Sequence, residues 1–88
     1  MGQKPWYVYI VLCNDGTLYT GITTDTDRRV AEHNESVRGA SYTRGRRPVT
    51  LVYRQPEIDR STASQHEWKI KRLTRKDKDA LIIGTEIT

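Results

Sequence analysis

The sequence predicts an α/β (α+β) domain with one three-stranded antiparallel sheet in the order 2-1-3, flanked by helices. Three observations predict it. Trp6 to Cys13 is dense in β-branched and aromatic residues, the composition of a buried strand. Asn14-Asp15-Gly16 is a hairpin signal, because these residues tolerate the positive φ that tight turns demand. Capping residues then open helical stretches on either side of a third apolar run.

In chain order, Thr17 to Ile22 is the return strand of the hairpin. A helix starting within Thr23–Thr26 runs through Asp27 to Asn34. Residues 35–47 form an arginine-rich loop. Pro48 to Arg54 is a third strand, with Val49, Leu51 and Tyr53 on one face and Val52 on the other. Pro56 to Arg60 reads as a loop. Ser61 or Thr62 caps a second helix ending near Leu73, and Thr74 caps a third, with Asp77 placed for a capping box. Gly84 stops that helix, and the tail beyond it is expected to fray. The order is β-β-α-β-α-α. Strand one is the most apolar, so it belongs in the centre, with strand three beside it.

Eighty-eight residues make a single domain, 1–88, with its core over about 6–83. No apolar run approaches a membrane span, no basic-then-apolar leader is visible, and one cysteine, Cys13, excludes an intrachain disulfide. A cytoplasmic setting without a membrane partner is therefore expected. Fifteen Lys/Arg against eleven Asp/Glu give a net charge of +4. Residues 1–27 hold a single base, Lys4, whereas Arg38, Arg44, Arg46 and Arg47 fall within ten residues without an acid. Lys69, Lys71, Arg72, Arg75, Lys76 and Lys78 form a second block. Two such blocks on a small domain are the footprint of polyanion binding; a solvated surface is the plainer alternative.

Three sets of residues stand out. Glu67 lies on the inward stripe marked by Ala63, Ile70 and Leu73, where a carboxylate is costly unless paired or metal-bound. Arg29 and His33 share a helix face one turn apart. Tyr7 and Tyr9 lie on one face of strand one, and Tyr19 lies on the neighbouring strand. Each has an ordinary explanation: a rotated stripe or salt bridge, a solvated pair, and sheet packing. Together they are the parts of phosphodiester hydrolysis. A carboxylate holds a divalent cation, a guanidinium neutralises the phosphate, and a phenol or imidazole handles the proton of the attacking water.

Their order resembles a single-domain GIY-YIG nuclease of the small bacterial type. Tyr7-Val8-Tyr9 takes the first half-motif and Tyr19-Thr20-Gly21 the second. The second runs into a helix bearing Arg29 and His33. Gly39 to Arg44, followed by Arg46-Arg47-Pro48, and Glu67-Trp68-Lys69-Ile70-Lys71-Arg72-Leu73 are also similar to the small stand-alone subfamily. The resemblance implies catalytic Tyr9, Tyr19, Arg29, His33 and Glu67, with Glu67 binding one Mg²⁺ or Mn²⁺. Gly21, Thr24, Arg44, Arg46, Arg47, Lys69 and Lys71 are expected to contact nucleic acid. The chain departs from the family pattern at Tyr7, which replaces glycine, and at Thr20, which replaces an aliphatic residue. Thr24 sits where some relatives carry lysine. No asparagine matches the one many members have after the glutamate.

The implied activity is metal-dependent endonucleolytic cleavage of structured or single-stranded DNA, in repair or recombination. DNA is preferred over RNA, and a partner protein or homodimer is expected to supply selectivity. The alternatives are a catalytically silent nucleic-acid-binding module, RNA as substrate, and an interaction domain anchored by Trp6 and Trp68. One geometric condition follows. Tyr9 and Tyr19 can line one site only if the hairpin turn has an odd residue count or a bulge shifts its register.

Overall fold

A computed structural model describes residues 5–84. The elements are β1 (Trp6–Leu12), β2 (Leu18–Thr23), α1 (Thr26–Glu35), α2 (Ser41–Arg44), β3 (Thr50–Glu57), α3 (Arg60–Lys71) and α4 (Arg75–Ile83). The sheet is antiparallel throughout, in the order β2-β1-β3, so the most apolar strand is central as expected. The expected frayed tail falls on residues 85–88, outside those described.

The hairpin meets its geometric condition through its turn. Cys13 N–H donates to Thr17 O at 2.8 Å, enclosing the three residues Asn14, Asp15 and Gly16. Gly16 takes φ +87°, which glycine adopts at no steric cost. The odd count pairs Tyr9 with Gly21 and Val11 with Tyr19, so both tyrosines face one side of the sheet.

That side packs Tyr9, Val11, Cys13 and Val49 with Tyr19, Leu51 and Val30 of α1. The opposite side packs Val8, Ile10, Tyr53 and Ile70 of α3 with Leu18, Ile22, Val52, Leu81 and Ile82. Tyr53 is thus not on the face of Leu51. Ile10 pairs with Tyr53 and Val11 with Leu51, which leaves Val52 as the extra residue of a β-bulge. The bulge turns Tyr53 over to the α3 side.

Three boundaries also differ from expectation. β3 continues to Glu57 through Pro56, which an edge strand accommodates because its outer N–H side has no partner. The cap of α3 is Asp59, whose carboxylate accepts from Thr62 N–H at 2.9 Å while Thr62 Oγ1 accepts from Asp59 N–H. α3 therefore ends at Lys71, and Leu73 is exposed rather than part of the inward stripe. Within the expected loop 35–47 the chain makes the short helix α2. Thr74 does cap α4, accepting from Asp77 N–H.

Candidate active site

The site is built on the β1 face that carries Tyr9. The Tyr9 ring lies directly over its cross-strand partner Gly21. A Cβ at Gly21 would stand 2.5 Å from Tyr9 Oη and 2.8 Å from Cζ, so only glycine leaves room for the ring. The backbone of Gly21 is not in the left-handed region, and its requirement is space alone.

α1 supplies the next two groups. Asp25 caps it, accepting from Arg28 N–H at 3.0 Å, and the helix presents Arg29 and His33 toward the sheet from successive turns. His33 is fully buried, with Nε2 2.8 Å from Tyr9 Oη and Nδ1 2.8 Å from Thr43 Oγ1 of α2. The Tyr19 ring meets the imidazole edge-on at 5.3 Å between centroids. Arg29 Nη1 donates to Glu32 Oε1 and to the carbonyl of Arg38, each at 2.8 Å. Its positive charge also acts on the Tyr9 hydroxyl, and its side chain is 24% exposed.

This packing sets the protonation states. Burial pushes the Tyr9 phenol up to about 12, against the hydrogen bond and positive charge of Arg29 that pull it down. Burial, reinforced by the Arg29 and Arg47 charges, drops His33 to about 4. Burial disfavours the charged Arg29, yet hydrogen bonds to Glu32 and Tyr9 hold its pKa above the usual value.

A stability prediction follows from His33. Its folded pKa of about 4 lies below its ordinary 6.5, so between these values the unfolded chain binds the additional proton. Stability therefore falls as pH drops through that window, by about 2 kcal/mol between pH 7 and pH 5. Urea unfolding at those two pH values is expected to show this loss in the wild type and to lose it in His33→Gln. Equal pH dependence in both proteins would mean that His33 is not buried neutral.

Glu67 lies on α3 four residues after the buried Ala63 and is itself mostly buried, with a 22% exposed side chain. Its charge raises the Tyr9 pKa, which puts it within electrostatic range of that hydroxyl. Its Oε2 pairs with Lys71 Nζ at 3.1 Å. Among the described residues no cluster of three His, Cys, Asp or Glu side chains could enclose a metal. A lone carboxylate fits Mg²⁺ or Mn²⁺, which keep several waters and take further oxygens from a phosphate. It does not fit zinc, which needs three or four protein ligands.

The remaining expected contacts divide. Arg47 is turned inward: its Nε donates to His33 O and its Nη2 to Ser36 O at 2.6 Å. It thus caps the carbonyl end of α1. Arg46 donates to Asp15 Oδ2 at 2.9 Å and to Tyr42 O at 2.7 Å, with its guanidinium 4.0 Å from the Tyr42 ring centroid. Tyr42 also stacks on Tyr19 at 5.7 Å between centroids and remains exposed. Arg44 donates to Val37 O but is exposed, and Lys69 is exposed on α3. Thr24 directly follows β2 and is half-buried. A groove of about 410 Å³ lined by Ser64, Gln65, Trp68 and Lys69 opens on the outer side of α3, apart from the cluster around Tyr9.

The GIY-YIG catalytic domain model matches residues 5–80. The chain belongs to the GIY-YIG family. It is 58% identical over 84 residues to a UPF0213 protein of Desulfotalea psychrophila, covering 96% of this chain and 76% of that one. It is 44% identical over 80 residues to the UPF0213 protein YhbQ of Escherichia coli, covering 91% and 79%. Two solution structures share the fold. The UPF0213 protein BH0048 of Bacillus halodurans has a TM-score of 0.56 at 45% identity, over 89% of this chain and 82% of that one. The protein EF2693 of E. faecalis has a TM-score of 0.61 at 43% identity, over 90% and 83%. Membership in this nuclease family agrees with the resemblance read from the half-motifs. Among the described residues no helix is long and apolar enough to cross a membrane.

Thr43, a neighbour of His33, was not among the expected site residues. A threonine inside an arginine-rich loop carries no periodic signal, and only the fold shows that the loop returns over α1.

Proposed function

We propose that this protein is a divalent-metal-dependent endonuclease that hydrolyses phosphodiester bonds in structured or single-stranded DNA. One observation supports this most: a buried phenol, Tyr9, bonded to a buried neutral imidazole, with the partly buried Arg29 guanidinium and the Glu67 carboxylate in electrostatic range. Simple sheet packing has no use for such a set, because every polar member costs desolvation.

Arg29 holds the non-bridging oxygens of the scissile phosphate and stabilises the charge that develops on them. Its orientation is preset by Glu32 and the Arg38 carbonyl, so little reorganisation is needed. Tyr9 takes up the proton of the attacking water. With a pKa of about 12 it is not ionised at rest, so its own proton must leave as it accepts another. His33 is the neighbour able to receive it. A phosphate facing Arg29 offsets part of the positive charge that depresses His33, and so strengthens the imidazole as an acceptor when substrate is bound. Tyr19 supports the imidazole edge. Glu67 would hold the ion, which supplies Lewis-acid polarisation of the phosphate and the leaving oxygen.

Lys71, Lys69 and Arg44 contact backbone phosphates, which position the strand without reading it. Arg46 adds to the local positive potential, and Gly21 and Thr24 form the β2 end of the site. Selectivity comes from DNA structure, from a partner protein or from a homodimer. A cytoplasmic role in repair or recombination fits this substrate class.

The test is incubation of the purified protein with labelled single-stranded, duplex and flap DNA and matched RNA. Mg²⁺, Mn²⁺ and chelator are compared. Metal-dependent cleavage of DNA is expected. Binding without cleavage in every condition would make the chain a silent module, and faster cleavage of RNA would overturn the substrate preference.

A further inference from the structure

Thr43 is the third member of a buried chain of hydroxyl, imidazole and phenol. Tyr9, His33 and Thr43 are each at most 1% exposed. Their polar atoms meet at 2.8 Å on both sides of the ring. An imidazole so placed can carry its proton on either nitrogen, and the chemistry differs entirely between the two.

Both ends of the chain decide between them. At one end, Thr43 Oγ1 lies 3.0 Å from the carbonyl of Ala40, the residue before α2. A carbonyl only accepts, so the threonine hydroxyl donates to it and offers its lone pairs to His33. His33 Nδ1 must then be the protonated nitrogen. At the other end, Arg29, whose charge acts on the Tyr9 hydroxyl, has donors only and cannot take its proton. The Tyr9 proton therefore needs an acceptor, and His33 Nε2 at 2.8 Å is one only when unprotonated. The reverse polarity would leave the Ala40–Thr43 contact without a hydrogen and the Tyr9 proton without this acceptor. The charged groups around His33 are Arg29 and Glu32 of α1 and Arg47 after α2, none of which hydrogen bonds to the ring nitrogens.

We propose that Thr43 is a positioning residue: its hydroxyl holds His33 in the Nδ1–H tautomer and so leaves Nε2 facing Tyr9 as a proton acceptor. The consequence for cleavage rests on the nuclease reading above; the tautomer does not. One proton is transferred in each direction of need. As Tyr9 Oη bonds the proton lost by water, its original O–H bond breaks and that proton joins His33 Nε2. The cationic ring keeps its Nδ1–H on Thr43, and the proton returns to solvent or the leaving oxygen afterwards.

The experiment is ¹⁵N NMR of the histidine rings in the substrate-free protein, with His66 assigned by its disappearance in His66→Gln. The wild type and Thr43→Ser are expected to show His33 protonated at Nδ1, and Thr43→Val to shift toward the Nε2–H form. With cleavable DNA, Thr43→Val is expected to lower kcat by about 10²-fold with KM little changed, as loss of a proton-transfer step does. Thr43→Ser is expected to stay within roughly threefold of wild type, since it keeps the hydroxyl. An Nε2–H tautomer in the wild type overturns the proposal without any variant. So does Thr43→Val that keeps the Nδ1–H form or cleaves as wild type. A wild type that cleaves nothing removes the nuclease reading, and the role of Thr43 is then decided by the tautomer alone.

Discussion

Replacing Glu67 by alanine is expected to lower metal-dependent cleavage by about 10³-fold or more while leaving the fold intact. Both halves follow from where the carboxylate sits. Its neighbours along the inward stripe, Ala63 and Ile70, are buried at 0% and 2%, but Glu67 keeps 22% of its side chain in solvent. Truncation there opens no enclosed cavity. The one ion pair lost, to a half-exposed Lys71, is worth less than about 1 kcal/mol. The same weakness lets an ion compete for the carboxylate. Because no group of three ligating side chains occurs among the described residues, the ion would depend heavily on this one carboxylate. Single-turnover cleavage of a labelled oligonucleotide at saturating Mg²⁺, beside thermal unfolding of the same samples, is the measurement. Cleavage by Glu67→Ala within tenfold of wild type would remove Glu67 from the metal role.

Much of the candidate site was legible because its residues break local rules. Glu67 shows itself as a charge at a core position, and Arg29 with His33 as a polar pair on one helix face. The sheet order was legible from the apolar density of β1. What escaped depends on single-residue offsets that leave no compositional trace. Val52 and Tyr53 are both apolar, so alternation alone does not reveal that one of them is the extra residue of a bulge. Pro56 reads as a strand breaker until the strand is known to be at an edge. Asp59, Ser61 and Thr62 are all good caps, and Asp59 takes the role with Thr62 completing its capping box. Arg47 belongs by composition to a phosphate-gripping block; only the return of the loop over α1 turns it onto the helix carbonyls. Thr43 is missed for the same reason. Residues whose role comes from a long-range fold contact look ordinary in one dimension.

Gly21→Ala is expected to be the most damaging small substitution on β2, and its effect tests how tightly the proton chain is held. The added methyl would lie 2.5, 2.8 and 3.1 Å from Oη, Cζ and Cε2 of Tyr9, well inside van der Waals contact. A flexible surface side chain would swing away. Tyr9 is 1% exposed, packed in a cluster with Val11 and Val49, and tied at its hydroxyl to His33. Either the ring or the strand must shift. Overpacking of this kind costs about 1–3 kcal/mol, or roughly 4–24 °C in Tm for a domain of this size. The hydroxyl moves with the ring, so cleavage is expected to fall at least about tenfold even at temperatures where the variant is fully folded. A double-mutant cycle separates the causes. Tyr9→Phe removes the atom nearest the new methyl, so the stability loss from Gly21→Ala should be smaller in a Tyr9→Phe background, with a coupling near or above 0.5 kcal/mol. Additive losses would mean that the methyl strains the β2 backbone rather than the tyrosine. Glycine at position 21 would then be a requirement of the sheet and not of the site.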